Sequence, residues 1–184
     1  MKRILAVIVL SLVTGCSLSF PQYEALRSFL VKPVPVDEQL APFLWQLEWL
    51  GAESVVLAVV VDGGTAFVNR EGLQLLFDGD RLRYAAGLFP YDRAARVETV
   101  DGGATLYLEQ GVRLLETNCT DFSVVSSDEN GFVWEQVCDG IRESNRKVVS
   151  VTGEIDRIES VVHPEYPAIV LTRLFNEAGE QAEE

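Results

Sequence analysis

The feature that most constrains the fold of this chain is a series of short apolar segments separated by glycine-containing turns. Val55–Val61 is a run of mainly β-branched residues, and Asp62-Gly63-Gly64 follows it with residue types typical of hairpin turns. The same alternation predicts further strands over Thr65–Asn69, Leu73–Phe77, Arg81–Ala86, Val97–Val100 and Thr105–Leu108. Strands at this spacing, without a long helical segment, predict a mainly β protein: an antiparallel β-sandwich or a curved half-barrel with a short N-terminal helix or arm.

The first predicted strand, Phe43–Trp49, contains two tryptophans. Apolar residues occupy every second position in it, as in a strand with one buried face, and a helix over the same residues is the alternative. In a strand, Trp45 and Trp49 share one face. They form either part of the hydrophobic core or an interaction surface on which a sugar or an acyl chain stacks.

One β domain with a segment on either side is the predicted organisation. Residues 43–174 hold all the predicted strands, and the chain of 184 residues is long enough for one domain with a real core. Residues 16–42 are expected to form a tether and an N-terminal arm laid on the domain, because prolines interrupt regular structure near their end. The arm also has apolar residues at the spacing of a short helix, namely Tyr23, Leu26, Phe29 and Leu30. Residues 175–184 form an acidic tail that we expect to be disordered.

The first fifteen residues have the composition of an export signal. Lys2 and Arg3 precede an almost entirely apolar stretch, residues 4–13. As a helix this stretch would be about 15 Å long, half the hydrocarbon thickness of a bilayer. Residues 1–15 are therefore interpreted as a signal peptide and not as a membrane span.

Val13-Thr14-Gly15-Cys16 resembles the lipobox of bacterial lipoproteins. In such proteins the cysteine thiol carries a diacylglycerol, the signal is cleaved before it, and the new amino group receives a fatty acyl chain such as palmitate. The resemblance implies that Cys16 is the lipid-attachment residue, and several acyl chains together anchor a protein stably. Ser17 follows Cys16, at the position where an Asp would favour retention in the inner membrane. The expected location is therefore the outer membrane, facing the periplasm. The alternative is a plain secretory signal followed by an incidental cysteine.

Cys119 and Cys138 lie on either side of a predicted turn, 127–131. A hairpin whose register pairs Ser127 with Asn130 places the two cysteines directly opposite each other, at a distance that a disulfide can bridge. Because the periplasm is oxidising, we expect a structural disulfide. The spacing is not that of a C-x-x-C redox motif.

The charge balance excludes one class of partner. Asp and Glu number 28 against 15 Lys and Arg, which gives a formal net charge of −13. A polyanion of this kind is repelled by phosphate backbones, so no nucleic-acid partner is expected. Four arginines nevertheless concentrate positive charge in one stretch, Arg81, Arg83, Arg93 and Arg96. They form either an interaction surface for an anionic polymer or partner, or ordinary solvated charges offset by nearby aspartates.

Signals for catalysis and metal binding are sparse. His163 is the single histidine, and because no nucleophile motif accompanies it, we interpret it as a surface residue at a strand end. The Asp-Gly-Gly turns lack the acidic ladder of a calcium loop, and no glycine-rich phosphate loop opens a helix. We therefore expect no enzyme activity, no metal site and no cofactor.

Several stretches of the chain resemble one family of lipoproteins. Val55–Ala58, Arg70–Leu75 and Asp80–Leu88, with Val151–Ile155 and Ile169–Leu171 near the C-terminus, resemble the YjbF/GfcB-type lipoproteins of exopolysaccharide and group 4 capsule clusters. The resemblance implies a non-enzymatic, mostly β accessory lipoprotein that assists polysaccharide production or export. It implies envelope export proteins or the polysaccharide as partners, and it supplies no catalytic residues.

Two alternative functions use the same features. The apolar runs and the two tryptophans are compatible with a periplasmic lipid-binding module that carries acyl chains inside a curved sheet. An assembly factor of the pilotin kind, serving an outer-membrane machine, differs from the first hypothesis only in its partner.

Overall fold

The structure, a computed structural model, describes residues 41–91, 93–100 and 103–174. The predicted signal peptide (1–15), the predicted arm up to residue 40 and the predicted acidic tail (175–184) lie outside the described residues. No helix in the described ranges has the length and apolar character needed to cross a membrane. A 3-10 turn at Ala41–Phe43 precedes the strands β1 (Leu44–Trp49), β2 (Ala52–Val61), β3 (Gly64–Val68), β4 (Gln74–Asp78), β5 (Arg81–Ala86), β6 (Ala95–Thr99), β7 (Thr105–Glu109), β8 (Val112–Thr117), β9 (Ser123–Ser127), β10 (Gly131–Gln136), β11 (Asn145–Ser150), β12 (Ile155–Ser160) and β13 (Ile169–Arg173).

These strands form one antiparallel sheet in the order β8-β7-β6-β5-β4-β3-β2-β1-β13-β12-β11-β10-β9. We call β1–β8 the first wing and β9–β13 the second wing, and the pairing of β1 with β13 joins them. The sheet is curled, because residues far apart in this order touch: Tyr107 of β7 packs in one cluster with Val161, which follows β12. The mainly β prediction is confirmed, and the architecture is a curled half-barrel.

The main core lies on the concave face of the sheet. In β1 the side chains of Trp45, Leu47 and Trp49 all point into it, with exposures of 5%, 4% and 2%. Phe67 of β3 packs edge-on against Trp45, with ring centroids 5.3 Å apart. Residues 44–49 are therefore a strand, the helix alternative is wrong, and the interpretation of the tryptophans as core residues is confirmed.

The turns follow the glycine pattern of the sequence. β5 covers Arg81–Ala86 as predicted, and the neighbouring strands differ from their predicted bounds by a few residues. Gly64 closes the β2–β3 hairpin at a φ of +142°, where its α carbon lies so near β4 that a Cβ would collide with the carbonyl oxygen of Phe77. Glycine is required there for space as well as for backbone conformation.

The disulfide between Cys119 and Cys138 is present and joins two residues paired in an isolated bridge. The predicted register holds at the cysteines but not at the turn, where Phe132 pairs with Ser127. A bulge between Val133 and Trp134 begins to close this offset. The sequence therefore predicted the bond correctly from a register that is wrong near the turn.

Candidate functional site

An open groove lies on the concave face, between the two wings, close to residue 41. It encloses about 490 Å³, a size within the range of about 300–1,000 Å³ that is usual for ligand pockets. Its walls are mostly apolar and are formed by Pro42, Phe43, Trp45, Ala58, Thr65, Phe67, Gly79, Ile155 and Ile158, together with Glu154 and Arg173. Phe43 is 50% exposed at this site, whereas Trp45 is almost fully buried.

Charged side chains lie in the wall of the groove that β12 and β13 supply. Arg173 donates from Nη1 to Oε2 of Glu154 at 3.0 Å, and its guanidinium lies over the Trp45 ring at 5.5 Å. Nε of Arg173 is buried, and no group in the described residues accepts its hydrogen. Burial raises the pKa of nearby Asp156, an effect that Arg173 opposes. The groove thus offers apolar walls and the carboxylate acceptors of Glu154, which suits a ligand with an apolar face and hydroxyl groups.

The two tryptophans do not form an exposed interaction surface. Trp45 contributes to the groove wall but is covered by its neighbours, and Trp49 donates its indole N–H to the carbonyl oxygen of Pro167 at 2.8 Å. This corrects the interpretation of the pair as a sugar- or acyl-stacking face. Burial with a satisfied N–H is the usual arrangement for a core tryptophan.

Trp49 belongs to an aromatic cluster that ties the wings together. Tyr91, from the loop between β5 and β6, and Tyr166, from the loop between β12 and β13, lie edge-on to it at 5.7 and 5.9 Å. His163 packs against both tyrosines, and its Nδ1 accepts a hydrogen bond from the backbone N–H of Glu165. Its exposure is 6%, so the prediction of a surface histidine is wrong.

Glu109 connects this cluster to the predicted basic stretch. Its Oε1 accepts hydrogen bonds from the Tyr91 hydroxyl at 2.7 Å and from Arg93 at 2.8 Å. These two hydrogen bonds hold the pKa of Glu109 below its ordinary value of 4.5. Burial, with a smaller effect of the Glu109 hydrogen bond, raises the pKa of Tyr91.

Changing Glu109 to Gln is expected to lower stability at neutral pH and to have a diminishing effect in acid. Because the pKa of Glu109 is lower in the folded than in the unfolded chain, its carboxylate stabilises the fold above about pH 4.5, and this contribution is lost as pH falls through the lowered pKa. Urea unfolding of the wild type and Glu109→Gln at a series of pH values measures the difference. Glu48→Gln, at an exposed side chain, is the matched control. A difference that is constant from neutral to acidic pH would contradict the assignment.

The arginine stretch is largely neutralised by neighbouring acids. Arg83 pairs with Asp78 at 3.0 Å, and Arg93 pairs with Glu109. Arg96 approaches Glu98 at 3.5 Å. Arg81 and Arg83 both border a small cavity between the wings. This arrangement supports ordinary offset charges more than an interaction surface for an anionic polymer.

That cavity is small and largely polar. It holds about 40 Å³, room for a few water molecules, and side chains of both wings line it, including Thr99, Tyr107, Gln136 and Asn145. Burial raises the pKa of Tyr107 to about 12, and a hydrogen bond with Asn145 opposes the shift. The space between the wings at this place is far below the size of a lipid pocket.

Lys147 holds the second wing against the first. Its ammonium pairs with Asp80, in the turn between β4 and β5, and lies 4.8 Å from the ring centre of Phe122 and 5.4 Å from that of Trp134. The ion pair is partly buried, and its two residues are far apart in the sheet order. It therefore stabilises the curled form of the sheet.

Changing Lys147 to Met is expected to lower the free energy of unfolding by about 1–2 kcal/mol, since it removes a half-buried ion pair and two ring contacts. Chemical denaturation followed by circular dichroism measures the loss. Arg113→Met, which removes the exposed pair with Glu116, is the control and should change stability by less than about 1 kcal/mol. Equal effects of the two substitutions would show that Lys147 does not hold the wings together.

Comparison with solved structures finds the same fold in the crystal structure of the hypothetical lipoprotein YmcC from Escherichia coli K12. The two align with a TM-score of 0.54 over 93% of this chain and 100% of that chain, at 14% sequence identity. No protein-family model and no curated protein sequence matches the chain. At this identity the likeness establishes architecture alone. The part of the chain that the structure describes is thus a curled sheet of thirteen strands, and it shares its fold with a protein named as a lipoprotein.

Proposed function

We propose that this chain is a non-enzymatic outer-membrane lipoprotein that assists the production or export of an exopolysaccharide or capsule. The observation that carries the proposal is a lipobox-like Val13-Thr14-Gly15-Cys16 ahead of a β domain whose fold is that of YmcC, named a lipoprotein. The resemblance of several stretches to YjbF/GfcB-type lipoproteins supplies the connection with polysaccharide. Lipid on Cys16 anchors the domain to the outer membrane, where it faces the periplasm.

The disulfide supports the proposed compartment. Cys119 and Cys138 are joined, and Cys138 is 3% exposed. Bonds of this kind form and persist in the periplasm and are rare in the cytoplasm. A location on the periplasmic side is therefore consistent with the cysteine chemistry of the domain.

The groove beside Phe43 is the proposed contact site for the polymer or for an export partner. Its apolar walls and the carboxylate acceptors of Glu154 suit a sugar, which presents both an apolar ring face and hydroxyl groups. The half-exposed ring of Phe43 is the accessible aromatic surface that the buried tryptophans do not offer.

Deletion of the gene tests the proposal. We expect the mass of purified exopolysaccharide to fall in the deletion strain, to be restored by the wild-type gene, and to stay low with Cys16→Ala. Phe43→Ala should restore less polymer than Val112→Ala, a control at an exposed apolar residue of β8 outside the groove. An unchanged polymer mass after deletion would overturn the proposal.

The lipid-carrier alternative has one observation in its favour, the apolar walls of the groove. Native mass spectrometry of the protein purified from its host distinguishes it. Bound lipid that is lost in an Ile158→Glu variant would support this alternative, whereas a ligand-free domain would exclude it. A pilotin-like role would instead appear as a missing outer-membrane machine in the deletion strain, with polymer mass unchanged.

A further inference from the structure

The groove beside Phe43 carries more negative than positive charge. Among the described residues that line it, Glu154 and Arg173 are the charged ones. Asp156 lies close to both, since burial raises its pKa most, Arg173 opposes this effect and Glu154 adds to it. Two carboxylates thus share one guanidinium, and the wall that β12 and β13 supply has an excess of negative charge.

Arg173 is not available to hold an anionic ligand. Its Nη1 donates to Oε2 of Glu154 at 3.0 Å, and its guanidinium lies over the ring of Trp45 at 5.5 Å. The side chain is only 17% exposed, and its Nε is buried in the wall. A carboxylate or phosphate binds a guanidinium most strongly through two parallel hydrogen bonds, and here it would have to displace Glu154. The groove is therefore unsuited to an acidic sugar.

Other cations near the groove do not line it. The turn between β4 and β5 borders the groove, but the cations around that turn do not. Arg81 and Arg83 border the small polar cavity between the wings instead. Lys147 pairs with Asp80 and contacts two aromatic rings. In the described ranges, an anionic ligand in the groove would therefore meet no lining cation except Arg173.

Glu154 has a carboxylate oxygen left for a ligand. Its Oε2 accepts the hydrogen bond from Arg173, whereas its Oε1 receives none from the described residues. The side chain is 29% exposed. The hairpin between β11 and β12 positions its backbone, since the N–H of Glu154 donates to the hydroxyl of Ser150 and the N–H of Ser150 donates to the carbonyl oxygen of Glu154. Glu154 thus presents an accessible, positioned acceptor to the groove.

Phe43 adds an accessible aromatic ring to the same groove. Its side chain is 50% exposed. The face of an aromatic ring attracts an ammonium group and also packs against the apolar face of a sugar. An acidic wall beside such a ring is therefore suited to a sugar that carries a positive charge.

We propose that the groove recognises a sugar unit that bears a free amine, as in a polymer of deacetylated amino sugars. The ammonium group donates to the remaining oxygen of Glu154, and the sugar ring packs on Phe43. An acidic sugar is rejected, because it meets a negatively charged wall and no available guanidinium. This polymer class refines the proposed polysaccharide role and rests on it.

Isothermal titration calorimetry of the detergent-solubilised, full-length protein with short oligosaccharides tests the proposal. At about pH 6, where amines of this kind are protonated, oligomers of glucosamine should bind roughly tenfold more tightly than the matching oligomers of N-acetylglucosamine. Oligomers of galacturonic acid should not bind measurably. The preference for glucosamine should weaken as salt is added, since accessible charges are screened. Equal affinity for the two amino sugars, or tighter binding of the acidic oligomer, would overturn the proposal.

A matched pair of variants assigns the preference to the groove. Glu154→Gln should lower the affinity for glucosamine oligomers about tenfold and leave that for N-acetylglucosamine oligomers nearly unchanged. Glu48→Gln removes the same charge from an exposed residue on the outer face of the sheet and should change neither affinity. A preference that survives in Glu154→Gln would overturn the proposal. If this variant does not fold, the comparison of oligomers on the wild-type protein still decides.

Polymer mass in the deletion strain separates this proposal from the proposed function. Preferential binding of glucosamine oligomers, with polymer mass unchanged by deletion, would support the specificity of the groove and overturn the polysaccharide role. A fall in polymer mass, with equal or absent binding of the three kinds of oligomer, would support the role and overturn the specificity.

Discussion

Replacing Trp49 with Ala is expected to lower the free energy of unfolding by about 3–5 kcal/mol, the range found for buried tryptophans. Trp49 contacts Tyr91 of the first wing and Tyr166 of the second, and its N–H satisfies the carbonyl oxygen of Pro167. The substitution leaves a cavity at the point where the wings meet. Urea unfolding followed by far-ultraviolet circular dichroism measures the change.

Two further variants separate the contribution of the indole hydrogen bond from that of the buried ring. Trp49→Phe keeps an aromatic ring but removes the N–H donor, and it should cost roughly 1–3 kcal/mol because a hydrogen bond and part of the packing are lost. Phe43→Ala removes a ring that is 50% exposed and should cost much less than Trp49→Ala. If Trp49→Ala were no more destabilising than Phe43→Ala, the aromatic cluster would not stabilise the contact between the two wings.

Removal of the disulfide is expected to be the second large effect. Cys119 and Cys138 are 19 positions apart, and closing a loop of that size is worth roughly 3 kcal/mol in the chain-entropy model. The bond also holds the connection between β8 and β9, where the chain passes from the first wing to the second, against the end of β10. Beside it the backbone N–H of Thr120 donates to the carbonyl oxygen of Val137, and that of Asp139 donates to the carbonyl oxygen of Asn118. Cys119→Ala with Cys138→Ala should therefore lower stability by about that amount.

The control for the disulfide is chemical. Reduction of the wild-type domain should bring its stability close to that of the doubly substituted variant and should leave the variant unchanged. A variant within about 0.5 kcal/mol of the oxidised wild type would contradict a structural role for the bond.

The sequence predicted those parts of the fold that depend on local pattern. Alternation identified β1, glycine turns separated β2 from β3, and the bounds of β5 were correct. Each of these signals lies within a few residues, because a strand face and a turn conformation are local properties. The disulfide was also predictable, since the two cysteines flank one hairpin turn. Its register near the turn was not, because a bulge leaves no clear mark in a single sequence.

The sites formed by the two wings could not be predicted. Tyr91, Glu109 and His163 come together only when the sheet curls, and no spacing in the sequence reports that contact. The absence of a nucleophile motif predicts a surface histidine at position 163, but Val161 and Val162 precede it, and this apolar context is the available signal for its burial. Arg173 and Glu154, the charged pair of the groove, likewise belong to different strands and carry no motif.

The intact mass of the protein extracted from the outer-membrane fraction of its host is the decisive measurement for the proposed lipid anchor. We expect a chain that begins at Cys16 and exceeds the mass of residues 16–184 by a diacylglycerol and a fatty acyl chain. We also expect Cys16→Ala to be absent from that fraction. An unmodified chain, or one that begins at another residue and is found free in the periplasm, would contradict the assignment as a lipoprotein.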